Sequence, residues 1–390
     1  MGINFKACPH VAEKYFLPKA RVHKNDILLA VKGATIASTK SVAHVCEEVG
    51  NAIVNGSIFR MQVKDSVNPR FVALALSTEF AKKQMKLALV ANNGVDYLDK
   101  ALIHRLVLPV PDIAKQNALV EKYDTISKSA REMILEANSL LSSIDDYLQS
   151  ELDITLPPEA KNTIAKRTFR KHSKDLYGWR FDARVHQYDF NLRSKKYLNA
   201  RLATVCAINP KTVFRGLSGE DQVSFVSMDT ISERLGTIDT KITRTLDENT
   251  GYTSFQNGDL LWAKITPCME NGKSAIAHDL HNGFGYGSTE LHILRSPDDR
   301  LDIEYLHALL RMKRVRDAAI RFFTGSSGHQ RVDAEFLKTL EIPIPPINLQ
   351  RSLAVEVRNR VYKAAELETS ASKRMETAKV EIETILLGDA

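Results

Sequence analysis

Residues 322 to 350 read FFTGSSGHQRVDAEFLKTLEIPIPPINLQ, and the polar, glycine-punctuated part of this run carries side chains suited to touching another molecule. Gln330 has the paired donor and acceptor that match an adenine edge, and Arg331 has the forked donor that matches guanine. Ser326, Ser327 and His329 can reach bases or phosphates from the same loop. Without a ligand, Arg331 and Asp333 would simply pair with each other and hold the loop. A second polar cluster, KITPCMENGKSA (264 to 275), places Lys264, Thr266, Asn271 and Lys273 at the end of a strand, where their donors would line a sheet rim. A hairpin turn around Asn271-Gly272 accounts for the same residues and is compatible with a reading role. Arg311, Lys313, Arg314, Arg316 and Arg321 crowd one predicted helix just ahead of the first loop, as phosphate contacts would require. The bland alternative is a solvated helix face.

Other chemistries lack their residues. Gly325-Ser326-Ser327-Gly328 is followed by His329-Gln330, so the lysine of a phosphate-binding loop is missing. GFGYG (283 to 287) stands before a strand and is read as a turn, and Pro345-Pro346 is followed by Ile347, not by the tyrosine of an amino-methyltransferase motif. Neither Asp112 nor Asp298 is followed by the acid and lysine of a common nuclease, and a lone His329 near Asp333 is no general base. Cys8, Cys46, Cys206 and Cys268 are scattered without a C-x-x-C pair, which points to free thiols and away from zinc or a disulfide framework. No metal site or catalytic constellation is expected.

The chain has 390 residues, enough for two or three domains, and its 44% hydrophobic and 26% charged content is that of globular protein. A net charge of +7 favours a polyanionic partner. No apolar run is long enough to cross a bilayer, and the start lacks the core of a signal peptide, with Lys6 where a myristoylation signal has Ser or Thr. A cytoplasmic protein without a membrane partner is the expectation.

The elements that must position these residues occur twice. Pro109-Val110-Pro111 returns 234 residues later as Pro343-Ile344-Pro345, and at that offset Gly94 falls on Gly328, Asp99 on Asp333, Gln116 on Gln350 and Leu119 on Leu353. NDILLAVK (25 to 32) resembles GDLLWAKI (258 to 265), NGSIFRMQV (55 to 63) resembles YGSTELHIL (286 to 294), and RFVALAL (70 to 76) resembles EYLHALL (304 to 310). Lys82, Lys83 and Lys86 then occupy the region of the basic helix in the first copy, and Lys32, Thr35 and Lys40 that of the 264 to 275 cluster. NNGVDYLD (92 to 99) replaces SSGHQRVD, so that Asn92, Asn93 and Tyr97 join the candidate base readers, with Asp96 and Tyr97 standing where Gln330 and Arg331 stand.

After each proline junction the apolar residues step alternately by three and four. The seam runs through Ala354, Val357, Val361, Ala364, Glu368, Ala371, Met375, Ala378, Ile382 and Ile385. Its counterpart holds Val120, Tyr123, Ser127, Ala130, Ile134, Ala137, Leu141, Ile144, Leu148 and Glu151. A helix over 115 to 152 would be about 57 Å long, and its alanines would let the two helices approach and pack on each other. The stretch from 159 to 175 is basic and polar and reads as a linker. The copies are unequal: Tyr177 to Gln256 precede the GDLL strand of the second, against about twenty-two residues ahead of the first.

The segments GDLLWAKITPCMENGK, YGSTELHILRS and TGSSGHQRVDAEFLKTLEIPIPPINLQ, each copy ending in a seam helix, resemble the specificity subunit of type I restriction-modification systems. The resemblance implies an α+β protein of two target-recognition domains with twisted β-sheet cores. Each domain is followed by a long α-helix, the two helices packing as an antiparallel coiled coil. It divides the chain into a first recognition domain at 1–110, shortened at its start, a spacer helix at 111–156, a linker at 157–176, a second recognition domain at 177–345 and a second spacer helix at 346–387. It further implies a non-catalytic chain that binds double-stranded DNA of split sequence and docks two modification (methyltransferase) subunits and restriction (motor-nuclease) subunits. S-adenosylmethionine, ATP and Mg would then lie on those partners and none on this chain. Two other readings are a coiled-coil adaptor whose globular heads bind protein, and a methyltransferase or nuclease in its own right.

Overall fold

The computed structural model describes residues 8–33, 35–36, 38, 40–92, 95–157, 163, 168–176, 180–186, 190–249, 251–326 and 328–388. It is a mixed α and β fold with two compact units, Met1–Leu135 with Leu367–Ala390 and Glu136–Glu366. The boundaries expected at 110/111 and 345/346 lie where the two long helices begin, whereas the compact units divide inside those helices. Of the expected linker at 157–176, only residues 157, 163 and 168–176 are described, and Ser173–Asp175 form a single 3-10 turn. No helix among the described residues is long and apolar enough to cross a membrane.

In the first unit, β1 (Ile27–Ala30) lies between β2 (Val42–His44) and β3 (Ile58–Met61) in an antiparallel sheet. Ile27 and Leu29 are buried on one face of its central strand and Leu28 on the other, because the chain contributes apolar side chains to both faces. There follow α1 (Pro69–Leu76), α2 (Glu79–Leu87), the hairpin β4 (Leu89–Asn92) and β5 (Val95–Leu98), a short α3 (Lys100–Ile103), and then α4 (Ile113–Glu151). Asn68 caps α1 by accepting from the N–H groups of Arg70 and Phe71, ahead of a proline at the first helical position.

In the second unit come α5 (Ala183–His186), β6 (Asn199–Arg201), β7 (Ala207–Ile208), β8 (Gln222–Val226), β9 (Ile242–Thr245) and β10 (Thr253–Gln256). Next are β11 (Leu260–Ala263), β12 (Ser274–Ile276), β13 (Phe284–Gly287) and β14 (Leu291–Arg295). The helical part is α6 (Ile303–Arg311), α7 (Lys313–Ala319), the hairpin β15 (Phe323–Thr324) and β16 (Arg331–Val332), α8 (Ala334–Thr339), β17 (Glu341–Pro343) and α9 (Ile347–Leu387). One sheet has the order β12-β11-β14-β7 and a second the order β10-β13-β8-β9. The first of these repeats β2-β1-β3, since β11 is flanked by antiparallel partners just as β1 is. The second sheet has no counterpart among the described residues of the first unit, which is where the two copies differ in length.

The repeat is preserved atom by atom at the helix entrances. Gln350 is fully buried; its carboxamide oxygen accepts the N–H of Asp302 at 2.8 Å and its nitrogen donates to the Pro345 carbonyl at 2.8 Å. Gln116 does the same with the Asn68 N–H at 2.9 Å and the Pro111 carbonyl at 2.8 Å. Asp302 caps α6 as Asn68 caps α1.

The long helices pack antiparallel within each unit. In the first, Lys122 pairs with Glu381 at 2.8 Å and Ser129 with Arg374 at 3.3 Å, so that seven residues forward in α4 are seven back in α9. Glu383 of α9 also accepts the first N–H groups of α2, from Glu79 and Phe80, where a carboxylate suits a helix start. In the second unit, Arg360 donates to the Ser143 hydroxyl at 2.9 Å and lies over the Tyr147 ring. Ala137, Leu148, Ala364, Ala371, Ala378 and Ile382 are buried, and Leu141, Ile144, Val361 and Met375 are half-buried.

Several expectations need correction. Ile134 is 38% exposed and does not sit in the seam, and at the place of the seam's Glu368 the buried residue is its neighbour Leu367. The single basic helix is two, because Met312 takes extended backbone (ψ 133°) between α6 and α7. Of GFGYG, Gly283 ends the 3-10 turn His281–Gly283, while Phe284–Gly287 is strand, with β13 parallel to β8 and antiparallel to β10. Its glycines answer to packing: a Cβ on Gly285 would meet the Phe255 ring at 2.6 Å, and one on Gly287 the Val226 carbonyl at 2.7 Å.

Candidate nucleic-acid interface

The two polar clusters of the second unit, sixty residues apart in sequence, form one edge. The N–H of Thr266 donates to the Gln330 carbonyl at 2.9 Å, and the N–H of Val332 donates to the Lys264 carbonyl at 2.8 Å, bridging Ile265 to Arg331. His292 fixes the joint from beneath. Its Nε2–H donates to the Val332 carbonyl at 3.0 Å while Nδ1 accepts from Asn209 at 3.1 Å, and burial holds its pKa down, so the ring is neutral in the tautomer both contacts need.

The same latch closes in the first unit. Gly33 N–H donates to the Asp96 carbonyl at 2.9 Å, Leu98 N–H donates to the Val31 carbonyl at 2.9 Å, and Lys32 bridges Tyr97. Position by position, Asp96 stands for Gln330, Tyr97 for Arg331 and Leu98 for Val332. Asp96 is exposed and was not among the residues singled out as readers. The motif alignment held the clue, since it already placed Asp96 opposite Gln330.

Within the latch, many of the polar side chains already have partners. Arg331 does not pair with Asp333. It forks onto Glu290 at 2.8 and 2.6 Å and donates to the His329 carbonyl at 3.0 Å, while Asp333 caps α8. The Arg331 hydrogen bonds hold the Glu290 carboxyl below the usual carboxylate range. Thr266 donates to the Glu270 carboxylate, Asn271 to Glu233 at 3.2 Å, and Lys273 to the Met228 carbonyl at 2.9 Å. By contrast the side chains of Lys264, Ser326, His329 and Gln330 make no hydrogen bond to described residues, and Ser326 and His329 are exposed. Lys32 and Thr35 are exposed and Tyr97 is half-buried. Ser327 and Asn93 lie outside the described residues, and Asn92 is placed only as the end of β4.

The phosphate candidates divide in the same way. Arg311 cannot serve: its guanidinium is enclosed by the carbonyls of Gly272, Glu233 and Arg234 at 2.8 to 3.0 Å, and burial brings its pKa down to about 10. Arg316 donates to the carbonyls of Arg311 and Glu270, and Arg314 to that of Pro157 at 2.5 Å. These arginines tie the 264–273 loop and the chain after α4 to α6 and α7, so their first task is structural. Lys82 is buried against Glu79 at 2.7 Å, Lys313 is exposed in a pair with Asp317, and Arg321 is half-buried. Lys83 and Lys86 are exposed on α2 and remain available to phosphate.

The latch, its sheet and the first part of α9 lie inside a region with a known family signature. Residues 196–369 match the family model described as the type I restriction modification DNA specificity domain. Over 186 residues the chain is 33% identical to the specificity subunit of the type I restriction enzyme EcoAI and 32% identical to that of EcoEI, both from Escherichia coli. Each match takes in 47% of this chain but only 31% of the relative's length. A solved chain from work on complex assembly and conformational transition of the type I R-M system shares the fold, with a TM-score of 0.51 at 15% identity over 94% of this chain and 81% of that one.

Proposed function

We propose that the chain is the sequence-reading subunit of a type I restriction-modification complex, non-catalytic itself, with each unit reading one half of a split DNA target. One observation carries the reading: the latch of each unit presents uncommitted polar side chains on an edge joined by two backbone hydrogen bonds, in two copies that differ in the side chains shown. Base recognition needs donors and acceptors held in fixed positions, and a protein with two unlike edges suits an unsymmetrical pair of half-sites. Exposed Lys83 and Lys86, with Lys32 and Lys264 beside the latches, supply the sequence-independent attraction. Modification and restriction subunits are the proposed partners, and S-adenosylmethionine, ATP and Mg are assigned to them. Apolar residues lining a cleft of about 1050 Å³ in the second unit, including Leu235, Ile276, Val357 and Val361, also suit a protein partner, as the adaptor reading would have it.

The test is binding of the purified full chain to a randomised duplex pool at graded salt. Enrichment of one split motif, with affinity falling steeply as salt rises, is expected. Binding that is indifferent to sequence, or capture of protein partners without affinity for duplex, overturns the proposal in favour of the adaptor.

A further inference from the structure

We infer that position 330 in the second unit and its counterpart, position 96 in the first, are the specificity-determining pair, Gln330 selecting an adenine and Asp96 the amino group of a cytosine. This rests on the DNA-reading proposal and deepens it. The two positions are equivalent by backbone chemistry: each carbonyl accepts the latch N–H, from Thr266 and from Gly33, at 2.9 Å. Two residues on, the chain enters the core at Val332 and at Leu98, both buried, so residues 330 and 96 occupy the last position before the core on the same strand face.

The neighbouring position is the obvious competitor, and in the second unit it is committed elsewhere. The Nε–H and one Nη2–H of Arg331 clamp Glu290 and an Nη1–H goes to the His329 carbonyl, so the guanidinium is already oriented by the protein on its chelating side. Strand alternation directs Gln330 away from that clamp, and its carboxamide makes no hydrogen bond to described residues. Asp96 likewise makes none and is exposed. A carboxylate at a DNA-facing edge is repelled by phosphate and can only accept, and the base group it suits in the major groove is the N4 amino group of cytosine. A carboxamide can donate and accept at once, as the N6 and N7 positions of adenine demand. Exposed Lys32, bridged to Tyr97, and Lys264 beside the second latch offset the phosphate charge around each reader. Arg331 is then a positioning residue for the edge and not a reader.

The experiment is motif selection from a randomised duplex pool with the full chain and three variants. Gln330→Glu should convert one adenine of the motif to cytosine, and Asp96→Asn should convert one cytosine in the other half to adenine. Gln330→Ala should flatten the adenine preference by about 5- to 150-fold, leaving the other half unchanged. If the wild-type chain selects a motif that all three variants reproduce, the assignment of these positions fails while the reading function stands. Uniform weakening on every sequence with an unchanged motif overturns it equally. If the wild-type chain selects no motif, the function itself falls and this inference with it.

Discussion

Gln350 accepts the backbone N–H of Asp302 through Oε1 at 2.8 Å, and Gln116 accepts that of Asn68 at 2.9 Å, 234 residues earlier in the chain. In both units a buried carboxamide thereby ties the start of a long helix to the capped start of a helix that packs on the sheet, α1 against β2 and α6 against β12. Its removal leaves a buried N–H and a buried carbonyl without partners. Gln350→Ala should destabilise the second unit by about 1 to 3 kcal/mol, and Gln116→Ala the first by a similar amount, read as shifts in urea midpoints. A surface-like effect of a few tenths of a kcal/mol for both would contradict this account.

The helix pairing depends on small residues. Ala364, Ala371 and Ala378 are buried where α9 meets α4. Ala371→Leu should cost about 1 to 3 kcal/mol by overpacking, whereas Ile134→Ala, at a 38% exposed position, should cost far less than a core truncation. Thermal melts of the two variants decide it, and equal losses would mean that the seam is misassigned.

His307 gives the second unit an acid limit. Burial above all, then the charge of Arg311, brings its pKa down to about 3, and its ring is hydrogen-bonded to the Ser274 hydroxyl at 3.0 Å. The folded state therefore binds the proton less readily than the unfolded chain, whose histidine titrates near its ordinary 6.5. The contribution of neutral His307 is complete above pH 6.5 and is lost progressively as pH falls toward 3. Replacing it in His307→Gln should flatten the stability profile between about pH 6 and 4, measured by denaturant unfolding across that range.

Phosphate attraction should be separable from structure among the cations. Lys83→Ala with Lys86→Ala should weaken binding to all duplexes alike and reduce the salt slope by about 2. Arg311→Ala should instead lower stability, because it empties a site of three carbonyl acceptors. A change in salt slope without loss of stability in Arg311→Ala would reverse that assignment.

The sequence by itself determined the duplication, the proline junctions and the registers of the long helices, down to Leu148 and Ile382 at equivalent buried positions. These are written in local periodicity and in the 234-residue offset, which survive without knowledge of any contact. It also supplied the polar residues of both loops. Tertiary structure decided which of them remain available. Arg311 and Arg316 look like surface cations in a linear reading, but backbone carbonyls brought in from distant segments hold them, while Lys82 is buried against Glu79 one turn earlier on its own helix. Arg331 has Asp333 as its nearest sequence partner, and it was Glu290, forty-one residues away, that took its Nε and Nη2 donors. Gly285 and Gly287 likewise answered to Phe255 and Val226 on neighbouring strands and not to a turn. Hydrogen-bond partnership is a property of position in space, so spacing along the chain could name the candidates but only folding could sort the committed from the free.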